Sequence, residues 1–176
     1  MSFIRFVVML VLLSSVAPLQ AAPPADFTLE AVPKGKHFKL SENRGKFVAL
    51  HFLLKTECPY CLRHTASYAS HAKDQSDVVH VFIKPDQPQE IAKWAPKVKV
   101  EDDAPPPIYR DPNAALAKAF AIPDGYQFHG QTTHYPALVL LDPKGKEVFR
   151  YVGKNNSDRF KYEDFVKKLL ELSAGK

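Results

Sequence analysis

An apolar run, Phe47-Val48-Ala49-Leu50-His51-Phe52-Leu53-Leu54, passes after three residues into Cys58-Pro59-Tyr60-Cys61, which holds both cysteines of the chain. A run of that kind is expected of a central strand buried on both faces. Leu62 to Asp74 then contains no Pro or Gly and reads as a helix. A buried strand feeding into a helix calls for parallel neighbours joined by crossovers, with helices covering the sheet. The cysteine pair falls at the seam between strand and helix.

The other segments fit that frame. Residues 26–40 carry the β-like Phe27, Leu29, Phe38 and Leu40 and read as an N-terminal β extension, followed by the turn signal Asn43-Arg44-Gly45-Lys46. Val78 to Ile83 is a second buried strand, and Gln87 to Lys97 a helix packed through Ile91 and Trp94. A break at Ala104-Pro105-Pro106-Pro107 precedes a short strand, Ile108-Tyr109-Arg110. Asp111-Pro112 predicts a helix running to Phe120, with Asp as its cap and Pro at its first position. Pro123 to Tyr135 is predicted as a polar loop without clear periodicity, and loops of that length are often functional. Ala137 to Leu141 is a buried strand, Asp142-Pro143-Lys144-Gly145 a turn, and Glu147 to Val152 an alternating hairpin partner. Phe160, Phe165, Val166, Leu169 and Leu170 mark a closing amphipathic helix over 158–172. The order predicts an α/β fold: a central mixed sheet flanked by helices, parallel early and antiparallel at its late edge.

Two cysteines three positions apart make a poor structural staple. An exported domain that relies on disulfides spreads them across distant segments, and closing so short a loop is worth only about 2 kcal/mol before strain. At the start of a helix the first cysteine has another use. Unpaired N–H groups and the positive end of the helix dipole stabilise a thiolate there, and the thiolate is the attacking species in disulfide exchange. Cys58 is therefore the candidate nucleophile and Cys61, one turn later, the candidate resolving thiol. Pro59 at the first helical position costs no hydrogen bond and rigidifies the pair. Metal binding uses the same spacing, and His64 completes Cys-x-x-Cys-x-x-His, with His51, His129 or His134 as further donors. Structural zinc needs four ligands, and no second cysteine pair exists. The site is read as free of metal and of organic cofactor.

Residues 1–21 read as a secretory signal peptide: Arg5 in the n-region, an apolar stretch from Phe6 to Leu13, and small or polar residues up to a cleavage point at Ala21. The apolar stretch is shorter than the roughly 20 residues that span a bilayer, and no cysteine beside the cleavage point offers a lipid attachment. Residues 22–176 are then a single domain, exported to a periplasm or secreted, long enough to bury a core without staples. No stable membrane insertion is expected after signal removal. The formal net charge of +5 comes from Lys and Arg spread along the chain. No basic run interleaved with aromatics supports nucleic-acid binding.

Several segments together resemble a known family. Asp26-Phe27-Thr28-Leu29, Lys39-Leu40-Ser41 and Gly45-Lys46-Phe47-Val48 are similar to the opening segment of exported TlpA-type thiol–disulfide oxidoreductases and of AhpC/TSA redoxins, both of thioredoxin-like fold. Asp111-Pro112, Ala117 to Phe120, Tyr135-Pro136 and the stretch Val139 to Lys146 continue in the family's order. The resemblance covers essentially all of residues 22–176. It implies exchange of disulfides with protein substrates and an upstream redox partner, by a monomer. It further implies that Pro136 is the cis-proline facing the Cys-x-x-Cys, with the backbone of Tyr135 pairing with the substrate chain beside Pro59 and Tyr60. On the residues alone, an ordinary trans proline opening a strand stands beside that reading.

Departures from the family pattern leave alternatives open. Glu57 stands where thioredoxins place Trp, and a carboxylate beside Cys58 opposes thiolate formation. No buried acid is evident; His51 lies nearest in the strand, either as a proton shuttle or as a core histidine satisfied by hydrogen bonds. Peroxiredoxins place Pro seven and Thr three residues before the attacking cysteine, where this chain has His51 and Lys55. A thiol peroxidase is nonetheless the alternative within enzymes, since an exposed thiolate meets peroxide. A copper- or zinc-carrying module using Cys58, Cys61 and His64 is the alternative outside them.

Overall fold

A computed structural model describes residues 24–55, 57–100, 104–128 and 131–174. Residues 1–21, read as a signal peptide, and His129 lie outside the described residues. Strands β1 (Thr28–Val32) and β2 (His37–Lys39) form an antiparallel pair. Strand β3 (Phe47–Phe52) leads into helix α1 (Pro59–Ser70), and β4 (Val78–Lys84) into α2 (Pro88–Trp94). Strand β5 (Ile108–Arg110) is followed by the short α3 (Ala115–Ala119). Strands β6 (Asp124–Phe128) and β7 (Gln131–His134) make a separate hairpin; β8 (Ala137–Leu141) and β9 (Glu147–Val152) rejoin the main sheet before α4 (Tyr162–Ala174).

The main sheet has the order β2-β1-β5-β4-β3-β8-β9. Strands β3, β4 and β5 are parallel, while β8 is antiparallel to both β3 and β9 and β1 is antiparallel to β5. The sheet is thus mixed and carries its N-terminal β extension at one edge, as the sequence predicts.

All six residues of β3 are buried. The pleat sends Phe47 and Ala49 into a core with Tyr68 of α1, Ile91 and Trp94 of α2, and Phe165 and Leu169 of α4. It sends Val48, Leu50 and Phe52 into a second core with Leu29 and Phe38 of the extension and Leu116, Ala117 and Phe120 around α3. Strand β8 divides in the same way, Leu138 and Leu140 against Ala137, Val139 and Leu141. Two cores at period two explain why both strands read as unbroken apolar runs.

Two expectations are corrected in detail. The helix read from Asp111-Pro112 begins later: Asn113 and Ala114 take positive φ, and the Asp111 carboxylate accepts from the N–H groups of Leu116 (2.8 Å) and Ala117 (3.0 Å) instead. Helix α1 begins at Pro59 with Cys58 as its cap, which agrees with the expected place of the pair at a helix start. The polar loop 123–135 is largely the hairpin β6–β7. Its alternation is broken by a register shift between Asp124 and Tyr126, where Gly125 adopts φ +131°, and such a bulge hides a period of two.

Leu140 is fully buried between the sheet and the helices, whereas Leu170 of α4 is 65 % exposed. Urea unfolding is expected to show Leu140→Ala losing about 2–5 kcal/mol and Leu170→Ala less than about 0.5 kcal/mol. Comparable losses at the two positions would contradict the two-core arrangement.

Candidate active site

The chain leaves β3 through Leu53 and Leu54, both buried, and reaches Cys58 at the N-cap of α1. Glu57, directly before it, is exposed and holds φ +69°, a left-handed conformation that carries strain in a non-glycine residue. Pro59 occupies the first helical turn and is exposed. Cys58 and Cys61 are joined as a disulfide with Cα atoms 5.2 Å apart. The Cys58 sulfur accepts the Cys61 N–H at 3.1 Å, and the Cys58 carbonyl accepts from Cys61 and Leu62. Cys58 thus fills the role that Ser or Asp usually fills at a helix start. Cys58 is 6 % exposed and Cys61 0 %, so the first keeps a small accessible surface and the second none.

A residue distant in sequence completes the surroundings of the pair. Arg159, in the link between β9 and α4, donates from Nη2 toward both sulfurs, 3.5 Å from Cys58 Sγ and 3.3 Å from Cys61 Sγ. Burial lowers its pKa to about 10, opposed by the nearby Asp158 and Tyr126. Beside it a cleft of about 360 Å³ opens between α1 and this link, lined by Tyr60, Arg63, Ser67, Lys161 and Glu163 among others. The Arg63 guanidinium lies over the Tyr60 ring, 4.7 Å from its centroid.

Beneath α1, three imidazoles are linked in a row. His51 Nδ1 is 2.9 Å from His64 Nε2, and His51 Nε2 is 3.1 Å from His80 Nδ1. His51 is therefore a core histidine satisfied on both ring nitrogens. Burial pushes His51 well below the usual histidine range, His64 to about 3 and His80 to about 4. His64, one turn beyond Cys61, is also disfavoured as a cation by Arg159.

At the end of β4 a lysine and a carboxylate are buried together. Lys84 Nζ is 3.3 Å from Asp86 Oδ2, donates to the Leu54 carbonyl at 2.5 Å and lies 4.4 Å from the Trp94 ring centroid. Burial lowers its pKa to about 8 against the opposing pull of Asp86. The pair anchors the segment between β3 and Cys58 from below.

Tyr135 and Pro136 link β7 to β8. The Tyr135 N–H donates to the Pro123 carbonyl (2.9 Å), and the Pro136 carbonyl accepts from Gly153 (2.8 Å). The Tyr135–Pro136 bond is trans, contrary to the expectation from the resemblance; the cis X-Pro bond among the described residues is Val32–Pro33. With these two bonds the link enters β8 from β7 as an ordinary trans proline before a strand. Pro136 nevertheless shares a small cavity with Arg159 and His64. Tyr135 is half-buried and faces Tyr126, ring centroids 6.5 Å apart. The metal alternative does not gather its ligands: Cys58 and Cys61 bond each other and His64 bonds His51. Among the described residues no group of three or more His, Cys, Asp or Glu is placed to hold a metal.

Arg159, Lys84 and Asp86 are absent from the sequence-based list of site residues. Lys84 and Asp86 leave one signal, two charges at the end of a buried strand. Arg159 leaves none.

The neutral histidine row sets a pH dependence. In the unfolded chain each imidazole binds a proton near pH 6.5; the folded chain resists until about 4 at His80 and about 3 at His64. Below pH 6.5 the unfolded state thus holds more protons, and stability falls as pH drops. The urea midpoint is expected to be flat near pH 7 and to decline from pH 6.5 to about 5, ahead of most carboxylate titration. His64→Gln should flatten that decline. A midpoint constant across the window would contradict neutral burial.

The AhpC/TSA family pattern matches residues 19–148. No curated protein matches the chain. Among solved structures, the exposed lipoprotein thioredoxin of Streptococcus pneumoniae superposes with a TM-score of 0.65 at 23% identity, covering 84% of this chain and 99% of that one. PrxQ of Xylella fastidiosa gives a TM-score of 0.66 at 14% identity, covering 85% and 89%. A protein disulfide isomerase candidate from Bacteroides thetaiotaomicron gives 0.57 at 22% identity, covering 90% and 89%. These likenesses carry the thioredoxin-like fold. With most of its length matched by the family pattern, the chain belongs to the AhpC/TSA family and is a thiol redox enzyme.

Proposed function

We propose that the protein is an exported thiol–disulfide oxidoreductase that exchanges disulfides with protein substrates through Cys58 and Cys61. The observation that carries this reading is the asymmetry of the pair: Cys58 caps α1 and is slightly exposed, while Cys61 is wholly buried one turn later. Disulfide exchange needs that division of labour, an attacking sulfur within reach of the partner and a resolving sulfur kept from it. Export rests on the signal-like pattern of residues 1–21; among the described residues no helix is long and apolar enough to cross a membrane.

In the reducing direction, the Cys58 thiolate attacks a substrate disulfide and the first substrate sulfur leaves as a thiolate. The Cys61 thiol then attacks the Cys58 sulfur of the mixed disulfide and releases the second substrate sulfur. Cys61's proton passes to a substrate thiolate, and the two electrons that reduced the substrate come from closing Cys58–Cys61. An upstream dithiol reopens the pair by the same exchange. In the oxidising direction the steps reverse. Pro59, Tyr60, Tyr135 and Pro136 form the substrate-facing surroundings in this reading. Tyr60 stacked under Arg63 borders the cleft, and Pro136 lies beside Arg159.

The test is insulin reduction and peroxide consumption by wild type, Cys58→Ser and Cys61→Ser. Wild type is expected to exchange disulfides, Cys58→Ser to fall to background, and Cys61→Ser to lose turnover. Peroxide consumption far outpacing exchange in the wild type would replace this reading with a thiol peroxidase. Exchange surviving in Cys58→Ser would overturn the assignment of the nucleophile.

A further inference from the structure

We propose that His64, His51 and His80 are a proton relay, carrying the proton of Cys61 between the site and a second cleft beyond the end of α1. The proposal rests on the disulfide-exchange reading above and adds a route for its proton. Cys61 has no accessible surface from which to lose a proton directly. Arg159, which donates to its sulfur, is a cation with no lone pair to take one. When the pair closes, the Cys61–Cys58 bond forms and the Cys58–substrate bond breaks. The electron pair leaves with the substrate sulfur, and the Cys61 proton leaves through the row. The released thiolate draws its own proton from solvent, so the net balance is that of the exchange. When an upstream dithiol reopens the pair, Cys61 takes a proton back along the same row.

The row begins one turn from Cys61. His64 follows it at i+3 on the buried face of α1. It borders a cavity of about 10 Å³ shared with Arg159, whose Nη2 is 3.3 Å from Cys61 Sγ. A cavity of that size has room for about one water. His64 Nε2 then lies 2.9 Å from His51 Nδ1, and His51 Nε2 3.1 Å from His80 Nδ1. At the far end His80 Nε2 is buried without a hydrogen-bond partner among the described residues. His80 lines a cleft of about 250 Å³ with Ala69, Lys73, Phe82 and Pro106. Histidines serving the core alone gain nothing from an unpaired buried nitrogen, which is costly to keep; at the mouth of a relay that nitrogen is the exit.

A neutral imidazole carries one N–H and one lone pair, so the two contacts permit two arrangements of the row. In the first, every N–H points toward the His80 end and His64 Nδ1 holds a lone pair. In the second, every N–H points toward the His64 end and His80 Nε2 holds the lone pair. A proton entering at His64 Nδ1 and another leaving at His80 Nε2 convert the first into the second. Closing the cysteine pair drives that conversion and reopening it drives the return, so each cycle resets the row. No ring stores the charge, since burial holds His64 at about 3, His80 at about 4 and His51 well below the usual histidine range. The rings of Tyr68 and Phe82 wall the middle of the row, with centroids 4.6 and 4.7 Å from that of His51. The Tyr68 hydroxyl donates to the Phe160 carbonyl and diverts no proton. Charged groups facing the row include Arg159, Arg63 and Glu163 at the His64 end and Lys73 at the His80 end.

The experiment mixes reduced protein with one equivalent of dithiobis(nitrobenzoate) in a stopped-flow instrument at neutral pH. Attack by Cys58 releases one coloured thiolate, and attack by Cys61 releases the second. The coloured thiolate is too weak a base to take the Cys61 proton, which therefore leaves through the protein. In the wild type the second release is expected to be slower in heavy water, because protons move in that step. In His80→Gln the amide keeps a hydrogen bond to His51 but passes no proton on, and the ratio of second to first rate is expected to fall about tenfold. Near-ultraviolet circular dichroism checks the fold, and His80→Asn replaces His80→Gln if that variant is unfolded. A folded variant with the wild-type ratio would overturn the proposal, as would a wild-type second release indifferent to heavy water. Failure of the exchange reading shows separately, as a first release lost in Cys61→Ser and kept in Cys58→Ser.

Discussion

Strand β3 is the constraint on which the site depends. It is buried on both faces and hydrogen-bonded on both edges, to β4 in parallel and β8 antiparallel. A strand so held delivers the chain at its C-terminal end to one place only. The segment after it is fastened from below by Lys84, which donates to the Leu54 carbonyl and is itself paired with Asp86. The price of that fastening is a lysine and a carboxylate taken out of water, tolerable because each neutralises the other. Cys58 therefore follows, six residues on, a strand held on both faces and both edges.

Around that fixed point several electrostatic influences meet. The N-terminal end of α1 favours negative charge on the sulfur it surrounds. The Arg159 guanidinium adds a full positive charge at hydrogen-bond distance. Glu57 pushes the other way but is exposed, where solvent screens it. On the proposed reading, Cys58 attacks as a thiolate where the first two influences outweigh the third. Beneath the site runs the row His64–His51–His80. Three imidazoles bonded to one another stay neutral there, giving a polar lining under α1 without a buried charge.

Much of the fold was legible because its cues are local. The runs at β3 and β8, the turn at Asp142-Pro143-Lys144-Gly145 and the cap position of Cys58 each follow from a few adjacent residues. Gly145 adopts φ +78°, and the Asp142 carboxylate accepts from Lys144 and Lys146, as that turn requires. The failures have physical causes of two kinds. In β6 a single bulge at Gly125 erased the alternation that marks a strand, and at Asp111 the cap reached past two left-handed residues. Arg159 failed for another reason: nothing near it in sequence distinguishes it from a surface arginine, and only the return of the chain from β9 brings it to the sulfurs. The trans geometry of Pro136 shows that a resemblance transferred the position of a residue but not its conformation.

The central claim is that Cys58 attacks and Cys61 resolves. Its most direct test is to mix reduced Cys61→Ala with a disulfide-bonded peptide and identify the adduct by mass spectrometry. The account predicts a stable mixed disulfide on Cys58 that a small thiol releases. The absence of any adduct there, together with peptide captured by Cys61 in Cys58→Ala, would contradict it.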